Sequence, residues 1–211
     1  MNRVILWGSE GGIGRALLTE FKDQGWEAAA VAREITSVST RADWTFEADF
    51  RRADEVDEVA GALRGLNLGF QVYIFAGGDI ASLPVGKADP ADWQRILDNN
   101  LTAAYQTLRA SLPLLAEDAG VFLMGAVSER LQLPGLSAYA AAKAGLEALA
   151  VSVAKEERRK RITVVRPGAV DTDLWEKVPF NKPAHTFPPE KVAARVWEAY
   201  QEGTQGQLDL V

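Results

Sequence analysis

The chain has 211 residues, 47% of them hydrophobic, and a formal net charge of -6. That length and composition suit a single domain, residues 1–211, with one core. The acidic balance, with no basic block longer than Arg158-Arg159-Lys160-Arg161, argues against a nucleic-acid partner and against binding to an anionic membrane surface. There is no cysteine and a single histidine, His185, so disulfides, thiol nucleophiles and cysteine metal sites are excluded and zinc is disfavoured; no metal is expected.

In chain order, residues 4–7 form a short apolar run that ends in glycine, which predicts a strand buried on both faces. The run is too short for a signal segment or a membrane span, and a cytoplasmic location is expected. Residues 15–24 carry a helical period stopped by Gly25, and residues 27–32 give a second small, apolar strand ending at Arg33. The pattern recurs with a strand at 44–48, a helix at 53–66 and a strand at 71–75 closing on Ala76-Gly77-Gly78. A long helix is expected over 90–115, with Asp89 as its N-cap, Pro90 at its first position and Pro113 breaking it near the end.

A strand at 121–124 follows, then a loop and a helix over 137–159 that is almost entirely small and apolar in its first turns and so must be widely buried. The basic run at 158–161 fits a solvated helix end that complements the helix dipole. After a strand at 162–165, residues 173–189 hold four prolines and no clear period, which reads as a flap over a substrate. A helix at 190–201 and a strand at 207–211 close the chain. Strands and helices alternating in this way predict a doubly wound, mostly parallel Rossmann-type α/β sheet of about seven strands, with helices on both faces and the ligand at the carboxyl edge.

Gly8, Gly12 and Gly14 fall between the first strand and the first helix, where glycines allow a tight turn and close approach of phosphate oxygens. Ser9 and Ile13 belong to the same turn. Ala32-Arg33 follows the second strand where a carboxylate would accept from a ribose 2′-hydroxyl, so a 2′-phosphate on Arg33 is preferred: NADP, with NAD possible. Tyr139 stands one helical turn before Lys143 on the same face, as a phenol tuned by a neighbouring ammonium would. A free phenol titrates near 10, and the ammonium, together with the positive nicotinamide ring of an oxidised cofactor, is expected to lower it.

With those motifs assembled, the chain resembles the classical short-chain dehydrogenase/reductase family over nearly its whole length. Trp7-Gly8 to Gly14 resembles the family's T-G-x-x-x-G-I-G with tryptophan for threonine, and Ala76-Gly77 the second half of N-N-A-G, with Ile74 and Phe75 for the asparagines. Asp49-Phe50 resembles the pair that reaches the adenine. Asn100 matches the helix asparagine of a proton relay, Tyr139 and Lys143 match Y-x-x-x-K, and Pro167-Gly168 with Val170 and Thr172 resembles the segment that fixes the nicotinamide end.

The resemblance implies a hydride transfer between NADP(H) and a carbonyl or secondary alcohol, with Tyr139 as acid/base. It also implies a small-molecule substrate and a homodimer or homotetramer built on the long helices. One residue departs from the pattern. The family's serine thirteen residues before the tyrosine is Ala126 here, and Ser128 is the nearest hydroxyl. Two extended residues span about 6.6 Å and return to the same face, so Ser128 is a candidate substitute whose reach depends on the loop. Ser137 or a water are the other options, and a loop-capping role for Ser128 is the plain alternative. Without that hydroxyl, the chain could also be a nucleotide-binding module or scaffold with weak or no catalysis.

Overall fold

A computed structural model describes residues 1–36 and 39–210. Seven strands form one parallel sheet: β1 (Arg3–Trp7), β2 (Glu27–Ala32), β3 (Trp44–Glu47), β4 (Phe70–Phe75), β5 (Leu115–Met124), β6 (Arg161–Pro167) and β7 (Gly206–Leu210), in the order β3-β2-β1-β4-β5-β6-β7. The first three strands run outward to one edge, and the chain then returns to lay β4 beside β1. The order therefore reverses between β1 and β4, the crevice where open α/β sheets bind ligands.

Because alternate side chains of a strand face opposite sides, the apolar runs divide cleanly. Ile5, Trp7, Ala29, Val31, Tyr73, Phe75, Val121 and Leu123 face one layer of helices, with α2 (Ala53–Gly65), α4 (Ala103–Ser111) and α5 (Ser137–Glu156) supplying residues such as Val56, Leu108 and Leu146. Val4, Leu6, Ala28, Ala30, Val72, Ile74, Phe122 and Met124 face the other layer, α1 (Gly12–Asp23) and α6 (Pro189–Glu202). There Phe21, Trp26, Trp197 and Tyr200 pack edge to face, with ring centroids 5.1 to 5.7 Å apart for the perpendicular pairs.

The expected helix over 90–115 is divided. It runs as α3 (Pro90–Leu97), a π-helical turn over Asp98–Thr102, α4, and a 3-10 turn over Leu112–Leu114 that contains Pro113, and β5 already begins at Leu115. Asp89 does cap α3, its carboxylate accepting from the Ala91 amide at 2.8 Å. The π turn inserts where Asn100 turns inward, a wide turn of the sort that recurs at functional sites.

α5 stops at Glu156, three residues before the expected end, and the basic run lies beyond it, with Lys160 on Glu157 at 2.9 Å and Arg159 on Glu117. Residues 173–189 are more ordered than their prolines suggest: a 3-10 turn covers Asp173–Lys177, and Phe187 bridges Val170. The last expected strand residue, Val211, lies outside the described residues. No helix among them is long and apolar enough to cross a membrane.

Candidate active site

The glycine turn after β1 is shaped by backbone contact. Gly8 has a φ of +94°, and a Cβ on it would lie 2.6 Å from the Gly77 amide nitrogen. A Cβ on Gly14 would sit 1.9 Å from the Gly8 carbonyl oxygen, and one on Gly12 2.7 Å from the Thr172 methyl. The sequence expected these glycines to admit phosphate oxygens. The structure adds that they also admit the Ala76-Gly77 segment and the Thr172 segment. The Gly8 and Ser9 amides donate to Val31 O at 2.8 and 3.2 Å, which fixes the turn to β2. The N-cap of α1, Gly11, offers no side chain, so no side-chain cap occupies the first amides of the helix, and such uncapped amides suit an anion. This cradle fits a pyrophosphate.

At the adenosine side, Arg33 is exposed just past β2 and forms no ion pair among the described residues. Its neighbourhood is acidic. Glu10 of the glycine turn accepts from the Thr36 amide at 3.0 Å and the Thr36 hydroxyl and pairs with Arg15 at 3.3 Å, and Glu47 accepts from the Ile35 amide at 2.9 Å. Asp49 is held by the Arg51 guanidinium, whose Nε lies 2.9 and 3.0 Å from its two oxygens, and this keeps its carboxyl below the usual range. Phe50 is committed elsewhere: its ring is buried edge-on against Trp7, 5.3 Å between centroids. The Trp7 indole in turn donates to Ser111 Oγ at 3.1 Å, so the residue that replaces the family's threonine braces β1 against α4. Ile74 and Phe75 fill their space by packing and are fully buried.

Beyond the end of β4, Gly78, Asn100 and Lys143 converge. A Cβ on Gly78 would lie 3.0 Å from Asn100 Oδ1 and 3.9 Å from Lys143 Nζ. Asn100 is fully buried; its side-chain amide donates to Asp79 O at 2.7 Å and Ile96 O at 2.8 Å, and its Oδ1 accepts from the Asp79 amide at 3.4 Å. Lys143 donates to Met124 O at the end of β5, 2.8 Å, and its Nζ stands 5.5 Å from the centre of the Tyr139 ring. Gly145, two residues on, lets α5 approach the π turn: a Cβ there would meet Leu101 at 2.9 Å.

The charge tuning differs from the expectation. Burial pushes the Tyr139 phenol up to about 12 and pulls the Lys143 ammonium down to about 8. Each neutral form is favoured by loss of water, nearly complete at buried Lys143 and partial at half-buried Tyr139, and Lys143 donates to a carbonyl. Desolvation sets the direction at Tyr139, and no lowering from Lys143 accompanies it.

Ala126 is buried after Gly125, at the position where the family carries a hydroxyl. Ser128 opens a 3-10 turn, Ser128–Leu131, and does not cap it: the cap position is Val127, and the Ser128 hydroxyl has no partner among the described residues. Ser137, at the first position of α5, has a buried hydroxyl that also lacks a partner. On the opposite wall, the Gly168 amide donates to Leu210 O at 2.8 Å, Val170 is buried, and the Pro167 carbonyl end of β6 pairs with β7. Trp175 Nε1 donates to Val170 O at 2.8 Å, folding residues 173–177 back onto that wall.

One cluster escaped the sequence. Asp79, directly after the glycines of β4, is buried with its carboxylate between Arg95 of α3 and Lys177, the latter at 2.8 Å. The available signal was a charged residue immediately following Ala76-Gly77-Gly78, where only small residues attracted notice. Arg166 was likewise passed over as part of a motif. It is buried among Glu129, Glu147 and Asp209 at 3.1, 3.2 and 2.8 Å, which joins the Ser128 turn to α5 and β7.

The model of the short chain dehydrogenase family matches residues 2–182. The chain belongs to the short-chain dehydrogenase/reductase family. It is 31% identical over 181 residues to an uncharacterized short-chain type dehydrogenase/reductase of Sinorhizobium fredii, covering 81% of this chain and 33% of that protein. It is 28% identical over 221 residues to a 3-oxoacyl-[acyl-carrier-protein] reductase of Aggregatibacter actinomycetemcomitans, covering 92% of this chain and 89% of the other. An alcohol dehydrogenase of the archaeon Thermococcus sibiricus, solved with 5-hydroxy-NADP, superposes with a TM-score of 0.90 at 20% identity over 100% of this chain and 96% of that one. The family is one of oxidoreductases that use NAD(P) and act on small molecules.

Proposed function

We propose that this chain is an NADP(H)-dependent oxidoreductase that interconverts a carbonyl compound and a secondary alcohol. The observation that carries the reading is the convergence of Gly78, Asn100 and Lys143 within 4 Å at the same sheet edge as the glycine cradle. Bound in that cradle, the dinucleotide supplies or takes up the hydride. Gly8, Ser9, Gly12, Ile13 and Gly14 would hold its pyrophosphate, exposed Arg33 would meet the 2′-phosphate, and Asp49 with Ala76-Gly77 would flank the adenosine side. Pro167, Gly168, Val170 and Thr172 form the wall at the nicotinamide end.

The phenol of Tyr139 gives its proton to the carbonyl oxygen in reduction and takes it back in oxidation. At neutral pH it is already in the donor form, since its titration lies near 12. Lys143 compensates the phenolate left behind, with its cation 5.5 Å from the ring, and Asn100 anchors the floor from which that proton is replaced. A 3-oxoacyl reductase and a 3β-hydroxysteroid dehydrogenase among the relatives, by their names, belong to the same reaction class.

The test is NADPH oxidation across aldehydes, ketones and quinones with the wild type and Tyr139→Phe. No turnover on any of them, with no difference between the two proteins, sinks the proposal. A second reading is favoured by Ala126 alone: a nucleotide-binding module with little catalysis, identified by tight NADPH binding in calorimetry without turnover. In either case the exposed Tyr105 of α4 and Val151 of α5 favour a homodimer or homotetramer through those helices, which light scattering measures. A cytoplasmic location accompanies the reading and is checked by cell fractionation.

A further inference from the structure

Asp79 is the point at which three parts of the candidate site meet. Its backbone amide and carbonyl are both engaged by the Asn100 side chain, which itself is fixed to Ile96 O. Its side chain, only 11% exposed, places the carboxylate between Arg95 and Lys177. Arg95 comes from α3 and also leans on Asp92 at 3.3 Å, so it is a fixed partner. Lys177 comes from the far end of the 3-10 turn Asp173–Lys177, 98 positions away in sequence, and its side chain is 50% exposed.

The two ends of the Lys177–Asp79 bond are therefore unequal. The acceptor is buried and rigid, and the donor is half-solvated on the segment expected to cover the substrate. A buried carboxylate that loses one of two cations is left under-neutralised, so the open state carries a cost at Asp79, while Lys177 regains water almost fully. That asymmetry favours closure without making it permanent. The root of the same segment is tied down separately, by Trp175 on Val170 O and by the Thr172 methyl against Gly12. The tip is held across the cleft by Lys177; beyond it Lys182 pairs with Asp171 at 2.7 Å, and the Phe187 amide donates to Ala169 O at 2.8 Å.

We propose that Asp79 is a positioning residue that latches residues 173–189 over the cleft through Lys177, on a footing set by Asn100. It acts on substrate retention and leaves the dinucleotide cradle alone. The consequence for turnover rests on the oxidoreductase reading above; the latch itself does not.

The experiment uses the full chain and Lys177→Met, with Lys177→Arg as the conservative variant and Asp79→Asn as the partner change. Hydrogen–deuterium exchange with NADPH present should show amides of 173–187 exchanging about tenfold faster in Lys177→Met and Asp79→Asn, with Lys177→Arg restored towards wild type. The glycine turn at 8–14 should be unmoved. In turnover, Lys177→Met should raise KM for the carbonyl substrate about tenfold against at most a threefold fall in kcat. The wild-type KM should climb with NaCl, as an ion pair predicts, while the Met variant stays flat. Unchanged exchange at 173–187 in Lys177→Met overturns the latch whether or not the protein turns over any substrate. So does a KM that rises only in step with a weakened NADPH affinity. Faster exchange in a protein without turnover keeps the latch and counts against the oxidoreductase reading alone.

Discussion

At the cofactor end of the cleft, between β1 and β4, shape is set by backbone. Three glycines and the Ala76-Gly77 strand end approach one another more closely than any side chain would allow. At the substrate end, between β5 and residues 173–189, shape is set by side chains: Lys143 on Met124 O, Asn100 on Asp79, Lys177 on Asp79, Trp175 on Val170 O. The first end has no slack, and substitution there should act all at once. The second is assembled from separate contacts with a gap at Ala126, and substitutions there should act singly and by degrees.

The contrast is broken most severely at Gly14. Gly14→Ala places a Cβ 1.9 Å from the Gly8 oxygen, so the turn must move. We expect NADPH affinity by calorimetry to fall more than a hundredfold and stability to drop by about 2 kcal/mol, in the range for overpacking a tight site. Gly86→Ala, where the added carbon meets nothing within 4 Å, is the matching control and should leave both measurements alone.

Next in size is Tyr139→Phe. Removing the phenolic oxygen should lower kcat on the order of a thousandfold, as loss of a positioned acid/base does, with NADPH affinity within threefold of wild type. If affinity falls as steeply as turnover, the two ends of the cleft are not independent and the comparison fails.

Ala126→Ser tests the gap. A hydroxyl restored there should raise kcat by about a hundredfold, the lower end of the scale of one oxyanion donor. An unchanged rate would mean that another hydroxyl already serves, and Ser128→Ala, normally silent, would then lose the activity. Ser128 is available for this role because it does not cap its turn.

How much of this was legible in the sequence follows the same division. Strand positions came through because runs such as Glu27–Ala32 are buried on both faces and their apolar character is continuous. The glycine turn, Tyr139 and Lys143 were found by spacing and Asn100 through the family resemblance, and the fold brings Gly78, Asn100 and Lys143 together. What escaped depends on contacts between distant segments. No local pattern in residues 90–115 announces the π turn, which exists because Asn100 must turn inward to reach Asp79 and Ile96. The Asp79–Lys177 pair joins residues 98 apart, and Lys177 lies in a stretch whose four prolines masked its order. The pKa shift at Tyr139 was misjudged because the ammonium is visible in the sequence and the loss of water around the ring is not.

The smallest expected effect is a pH profile, and it separates the charge of Lys143 from its shape. Burial holds the ammonium at about 8, below the 10.5 usual for lysine, so the cation is present below about pH 8 and is lost as pH rises through it. Tyr139, near 12, stays protonated over the same interval. Carbonyl reduction should therefore be flat from pH 6 to about 7.5 and fall above 8, reaching roughly a tenth by pH 9 if only the charged form is competent. Lys143→Arg retains a charge throughout, because a guanidinium does not titrate in this range. Its rate should be lower at every pH, since the larger planar group cannot reproduce the bond to Met124 O, yet its falling limb should vanish. A limb that persists in Lys143→Arg would move the titration to another group and leave Lys143 only the task of holding α5 against the end of β5.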